Sequence, residues 1–237
     1  MVTMRKLVNE SKNRLGALTS YRTRMTRQER VGETLLPREE VVLSIRREPL
    51  AVRLEWPTGP SQGREVLFAT VETGGKMEIF APKSLVPRLA LAPDSPLVQK
   101  NSRHPITEAG FDSVIRNMDA ALHAAEQGRA DAGRFVYEGA HSLPELGREC
   151  HRILEARPNG ETWIVCLDAE TLLPALVHAV DSDGQLLEYY LFRDLTTNLP
   201  ELAQSEAFSP DKRWGESRGG VLGRIARGIG ESGQTRQ

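Results

Sequence analysis

The sequence predicts an α+β fold built on one long antiparallel sheet of about ten strands, with helices on one face. Three observations predict it. Residues 21–81 fall into five extended runs, with the Gly and Pro turn signals Gly32-Glu33, Pro49, Pro57-Thr58-Gly59-Pro60 and Gly74-Gly75 between or beside them. Within them Val41, Leu43 and Ile45, Val52, Leu54 and Trp56, and Met77 and Ile79 alternate with their neighbours, the period-two pattern of antiparallel strands. Residues 134–194 then repeat the pattern with five further runs. Open sheets of such strand number curl instead of staying flat.

The chain opens on an amphipathic helix, with Met4, Leu7, Val8, Leu15 and Leu18 on one side, expected within residues 1–20 as part of the same domain. The five-strand meander follows. Residues 85–100 (LVPRLALAPDSPLVQK) are apolar but carry Pro87, Pro93 and Pro96, so they read as edge strands or a crossing loop. Phe111, Val114, Ile115, Met118, Leu122 and Ala125 form one apolar stripe, the clearest helix of the chain, with Thr107 as its expected N-cap and Gly128 at its end. The later strands are RFVYEGAHSL, RECHRILEA, ETWIVCLD, PALVHAV and LLEYYLFRD, with Phe208 and Trp214 as late anchors. Residues 21–215 form the sheet domain. Residues 216–237 are glycine-rich and read as a flexible tail, because internal glycines oppose the weak amphipathic pattern of VLGRIARGI.

Bulk properties narrow the function classes. With 237 residues, 39% hydrophobic and 27% charged, the chain can bury its own core without metals or disulfides. A net charge of −1 gives no field for steering nucleic acid, so no nucleic-acid partner is expected, although residues 1–31 hold eight basic side chains against two acidic ones. No run of about 18 apolar residues is present to span a bilayer. The amino end lacks the apolar core of a secretion signal: a periplasmic location requires a leader absent from this sequence, and a native Met1 implies a cytoplasmic one.

Chemistry-bearing motifs are sparse. His104, His123, His141, His151 and His178 form no H-x-x-x-H or H-E-x-x-H pair, so neither a metal nor another cofactor is expected. Asp181-Ser182-Asp183-Gly184 resembles the start of a calcium loop but lacks the remaining ligands, and a hairpin turn explains it. There is no G-x-S-x-G, P-loop or G-x-G-x-x-G, and the chain reads as a non-enzyme. Arg103-His104 beside Pro105 either binds an anionic group or fixes its loop to the sheet. Cys150 and Cys166 flank Pro158-Asn159-Gly160. A two-residue turn at Asn159-Gly160 puts them on opposite faces, whereas a three- or five-residue loop changes the parity and brings them together.

The positive evidence is apolar supply on nearly every strand. A curled sheet incompletely covered by two helices leaves a concave apolar surface suited to a lipid or acyl chain. Leu43, Ile45, Leu54, Trp56, Phe68, Ile79, Phe111, Ile115, Met118 and Trp163 are its candidate ligand-binding residues, with the helix from Phe111 as a lid.

Residues 28–68 (QERVGETLLPREEVVLSIRREPLAVRLEWPTGPSQGREVLF), 102–111 (SRHPITEAGF) and 149–158 (ECHRILEARP), with a weaker match over residues 167–195, resemble a bacterial family of domains of unknown function grouped with the LolA-like lipoprotein carriers. The resemblance implies a half-open barrel of about 10–11 strands, helices over its concave side, an envelope location, and binding of lipid or lipoprotein acyl chains. It also implies an inner- or outer-membrane partner protein. The carriers' ligand-controlling arginine has no assigned counterpart here; Arg30, Arg46 and Arg103 are candidates by position. The alternative is an envelope sensor or protein-interaction module whose cavity is filled by side chains.

Overall fold

A computed structural model describes residues 3–215. The expected tail at 216–237 lies outside the described residues.

Helix α1 spans Met4–Gly16 and buries Leu7, Val8 and Leu15; the Thr3 hydroxyl caps it by accepting from the Lys6 N–H. Twelve strands follow: β1 (Ser20–Val31), β2 (Thr34–Leu35), β3 (Glu39–Arg46), β4 (Ala51–Glu55), β5 (Glu65–Ala69), β6 (Met77–Phe80), β7 (Arg88–Leu91), β8 (Arg134–Leu143), β9 (Arg148–Ala156), β10 (Thr162–Asp168), β11 (Pro174–Val180) and β12 (Leu186–Thr197). Between β7 and β8 lie the short α2 (Pro96–Gln99), a 3-10 turn (Ile106–Glu108) and α3 (Phe111–Glu126); α4 (Pro200–Ala203) and α5 (Pro210–Trp214) follow β12.

The strands form one open antiparallel sheet in the order β7-β6-β5-β4-β3-β1-β12-β11-β10-β9-β8, with β2 paired to β1. The single long antiparallel sheet expected from the strand pattern is therefore observed, and it is open, as the resemblance implies. Strand β1 is the seam, since it pairs with β3 of the first meander and with β12 of the second. The proline-broken segment after β6 supplies β7, an edge strand.

Alternation along the strands sorts side chains to two faces. Val41, Leu43, Ile45, Val52, Leu54, Trp56, Val66 and Phe68 point to an inner face with Tyr21, Phe111 and Phe192. Beside them Leu7, Val8, Met118 and Leu122 join α1 and α3 to Ile153 and Leu167. Arg5 pairs with Asp119 at 2.5 Å and Glu126 at 2.7 Å, which ties the two helices together. The outer face is also covered: Ala51, Leu67 and Ala69 pack under Leu202 and Phe208 of the C-terminal segment. Arg46 and Arg53 lie 5.2 and 5.9 Å from the Phe208 ring centre, and Arg46 pairs with Glu72 at 2.8 Å.

Two local expectations are corrected. Thr107 lies in the 3-10 turn and does not cap α3; Gly110 does, at φ +87°. The β9–β10 connection is a five-residue loop: Thr162 faces Ala156 and the Arg157 N–H donates to the Glu161 carbonyl. This is the parity that puts both cysteines on one face. Several basic residues near the amino end are held in ion pairs, Arg22 with Glu201 at 3.2 Å, Arg24 with Asp194 at 3.5 Å and Arg27 with Glu39 at 3.2 Å.

Candidate functional site: a strapped cavity on the inner face

The inner face is not filled to its full extent. A cavity of about 520 Å³ lies between the strands on both sides of the seam, α3, and the segment Ser102–Gly110, which crosses it as a strap. Its apolar wall includes Met25, Leu54, Val114, Met118, Phe135, Trp163, Val177 and Phe192. The volume falls within the range of roughly 300–1,000 Å³ typical of small-molecule sites.

Of the ten expected lining residues, Leu54, Met118 and Trp163 border the cavity. Leu43, Ile45, Trp56, Phe68, Phe111 and Ile115 lie in the packed core beside it, with Ile79 against that core. Strand-level patterning gives the face on which a residue sits, but not where along that face packing stops.

The strap is attached by a polar anchor. Glu29 on β1, 3% exposed, accepts hydrogen bonds from the Ser102 hydroxyl (3.0 Å), the Arg103 N–H (2.8 Å) and the Tyr190 hydroxyl (2.9 Å). Glu188 on β12, 1% exposed, accepts from Arg103 Nε at 2.7 Å and meets His104 Nε2 at 2.9 Å. His104 Nδ1 lies 3.5 Å from Glu108. The hydrogen bond to Glu188 raises the His104 pKa above its ordinary 6.5, against the opposing effect of burial. For Glu188, burial pushes the pKa up, but bonds to His104 and Arg103 outweigh it and the net shift is down. Burial, with Glu29 beside it, pushes the Tyr190 phenol well above 10. Arg103-His104 thus fixes the loop to the sheet. Neither buried carboxylate stands out in the sequence, because a strand Glu, whether in the polar β1 or the apolar β12, carries no local sign of burial.

A second polar group rims the cavity at the β9–β10 loop. The Arg157 guanidinium stacks 4.2 Å from the Trp163 ring centre and bonds Glu155 at 3.1 Å and Glu161 at 3.3 Å. Glu161 also accepts from the Trp163 indole N–H at 2.8 Å. Of the arginines considered by position, Arg103 alone borders the cavity; Arg30 donates to the Leu186 and Glu33 carbonyls at 3.0 and 2.9 Å.

His104, His151, Glu138 and Cys150 do not converge on one site. His104 is in the strap, His151 is bonded to Tyr137 at 2.8 Å, Glu138 pairs with Arg152 at 2.9 Å, and Cys150 lies in a separate apolar cluster with Cys166. Among the described residues no group of three or more His, Cys, Asp or Glu is arranged to hold a metal. Among them, too, no helix is long and apolar enough to cross a membrane. Asp181 accepts from the Asp183 and Gln185 N–H groups and makes the β11–β12 turn.

Solved structures similar in fold include the Mycobacterium tuberculosis lipoprotein LppX, at 13% identity and TM-score 0.47 over 84% of this chain and 98% of that one. A chain of the Pseudomonas aeruginosa MucA/MucB complex aligns at 16% identity and TM-score 0.46, over 84% of this chain and 60% of that one. A LolA superfamily protein from Nitrosomonas europaea aligns at 10% identity and TM-score 0.34, over 89% and 99%. No curated protein matches the sequence. The family profile of DUF1571, a protein family of unknown function, matches residues 18–213, and the chain belongs to that family.

Proposed function

We propose that this protein is a non-enzymatic periplasmic binding or carrier protein for a hydrophobic ligand, a lipid or the acyl chain of a lipoprotein. The observation that carries this reading is the cavity of about 520 Å³ on the inner face, walled by apolar side chains and closed by a polar-anchored strap. Its apolar wall can take a hydrocarbon chain, while the charged groups of the strap and of the β9–β10 loop sit where a polar head would meet solvent. A module whose inner face is wholly filled by side chains would leave no such volume, and this favours ligand binding over the sensor alternative.

The test is binding of a fluorescent fatty acid and of extracted lipid, read by fluorescence and by mass spectrometry of the intact complex. Wild-type protein should bind both. Val114→Trp, which fills the cavity from α3, should bind at least tenfold more weakly with an unchanged circular dichroism spectrum. Absence of binding by the wild type, or undiminished binding by a folded Val114→Trp, overturns the proposal.

A further inference from the structure

We infer that Cys150 and Cys166 are a disulfide-forming pair that an oxidising compartment closes. In the β9–β10 ladder Cys150 faces Asp168 and Arg152 faces Cys166. The cysteines are therefore diagonal neighbours on adjacent strands and project to the same face. Both are free and buried, at 1% and 2% exposure, in one apolar cluster with Leu143, Ala175 and Leu191. They are close enough that each acts on the other's ionisation, although burial is the larger cause and raises both thiol pKa values.

A diagonal pair, at roughly 7–8 Å, stands just beyond the Cα span a disulfide bridges without backbone movement, so closing the bond must draw the two strands together locally. That adjustment falls near the sheet edge, where only β8 lies beyond β9. The buried, high-pKa thiols are poor nucleophiles once the protein is folded, so the bond forms during folding, before Leu143 and the following turn cover the site. The step needs a disulfide oxidant such as glutathione disulfide. One cysteine thiolate attacks a sulfur of the oxidant and displaces one glutathione thiolate. The second cysteine thiolate then attacks the mixed disulfide and displaces the other. Two protein thiols are oxidised, and one glutathione disulfide is reduced to two glutathione thiols that take up the two protons.

The experiment refolds the reduced, unfolded full chain in mixed reduced and oxidised glutathione and counts thiols under denaturing conditions. The expected product is a monomer with no free thiol, lighter by two hydrogens, in which tryptic peptide Glu149–Arg152 is linked to the peptide carrying Cys166. The bond closes a loop of 15 intervening residues, so Tm should fall by roughly 6–12 °C on reduction. The double variant Cys150→Ser/Cys166→Ala should show no such response to reductant. Two free thiols in the folded product, glutathione adducts, or a cross-link between chains overturns the inference. The count is made on the wild type, so it stands even if the double variant does not fold. It is also independent of ligand binding.

Discussion

Glu29 and Glu188 stand directly opposite one another across the β1–β12 pair, and both are almost fully buried. Like charges at such a position repel. Here the strap resolves the conflict, since Arg103, His104 and Ser102 converge on the two carboxylates from one side while Arg27 and Tyr190 approach Glu29 along the sheet. The contacts that hold the strap across the cavity are thus the same ones that neutralise the carboxylates. A ligand that enters beneath the strap must do so without separating this pair from its partners, or must wait for them to part.

Arg103→Ala should therefore cost more than an exposed ion pair would. It leaves Glu188 with His104 alone, and about 2–3 kcal/mol of destabilisation is expected in urea melts. Amide exchange across residues 101–110 should accelerate. In the double variant Arg103→Ala/Glu188→Gln the unpaired charge is gone, so the loss should be smaller than the sum of the two single losses. Strict additivity would mean that the two residues are not coupled.

The same anchor sets a pH dependence. His104 has a raised pKa in the folded state, so its contribution is complete below pH 6.5 and is lost as pH rises through the folded value. Glu188 has a lowered pKa, so its contribution is complete above pH 4.5 and is lost as pH falls through the folded value. The groups facing His104 are Glu188, Glu29 and Glu108, with Arg103 beside it. Strap attachment should be strongest between the two ordinary values, and His104→Gln should flatten the alkaline limb and shrink the acid limb, because His104 is the larger of the two groups that hold the Glu188 pKa down against burial. Melting temperatures across pH, for wild type and variant, check this.

Ligand binding should itself be visible as stability. A ligand at one hundred times its Kd raises unfolding free energy by about 2.7 kcal/mol. In a fatty-acid titration, wild type should therefore show a rising Tm, and Val114→Trp a flat one. Trp163 lies on the cavity wall and should report the same event as a change in emission.

Much of this architecture was legible in the chain. Alternation such as Val41, Leu43, Ile45 located the strands to within a few residues, because one face of each is apolar and the other is not. Strand β1 was harder. Its sequence, SYRTRMTRQERV, has only Tyr21, Met25 and Val31 as apolar residues on one face, and the strap partners that justify burying Glu29 are more than 70 residues away. The outer-face cover by Leu202 and Phe208 was equally hidden, since it depends on where the segment after β12 turns back. Arg103-His104 stood out from its place beside Pro105, but the sequence left it open between an anion site and a loop anchor, because its acceptors, Glu29 and Glu188, are far away in the chain.

The start of α3 shows the same limit and supplies the sharpest test. Thr107 looked like the cap, yet the Phe111 N–H at the helix start donates to the hydroxyl of Tyr21, 90 residues earlier, at 2.8 Å. The Tyr21 ring stacks on Phe111 with centroids 4.6 Å apart, and burial drives its phenol pKa strongly upward, so it stays neutral. Tyr21→Phe keeps the stack and removes only the acceptor, which should cost about 1–3 kcal/mol for one buried N–H left unpaired. Gly110→Ala should cost more than Tyr21→Phe. Its Cβ would lie 2.3 Å from the Tyr21 hydroxyl and 2.4 Å from Ile45 Cδ1, and φ of +87° is a conformation that an L side chain rarely adopts. The two costs should not add in the double variant, because removing the hydroxyl also removes the nearer clash. Equal destabilisation by the two single changes would show that the helix start can shift away from β1, and that α3 is not fixed against the sheet at this point.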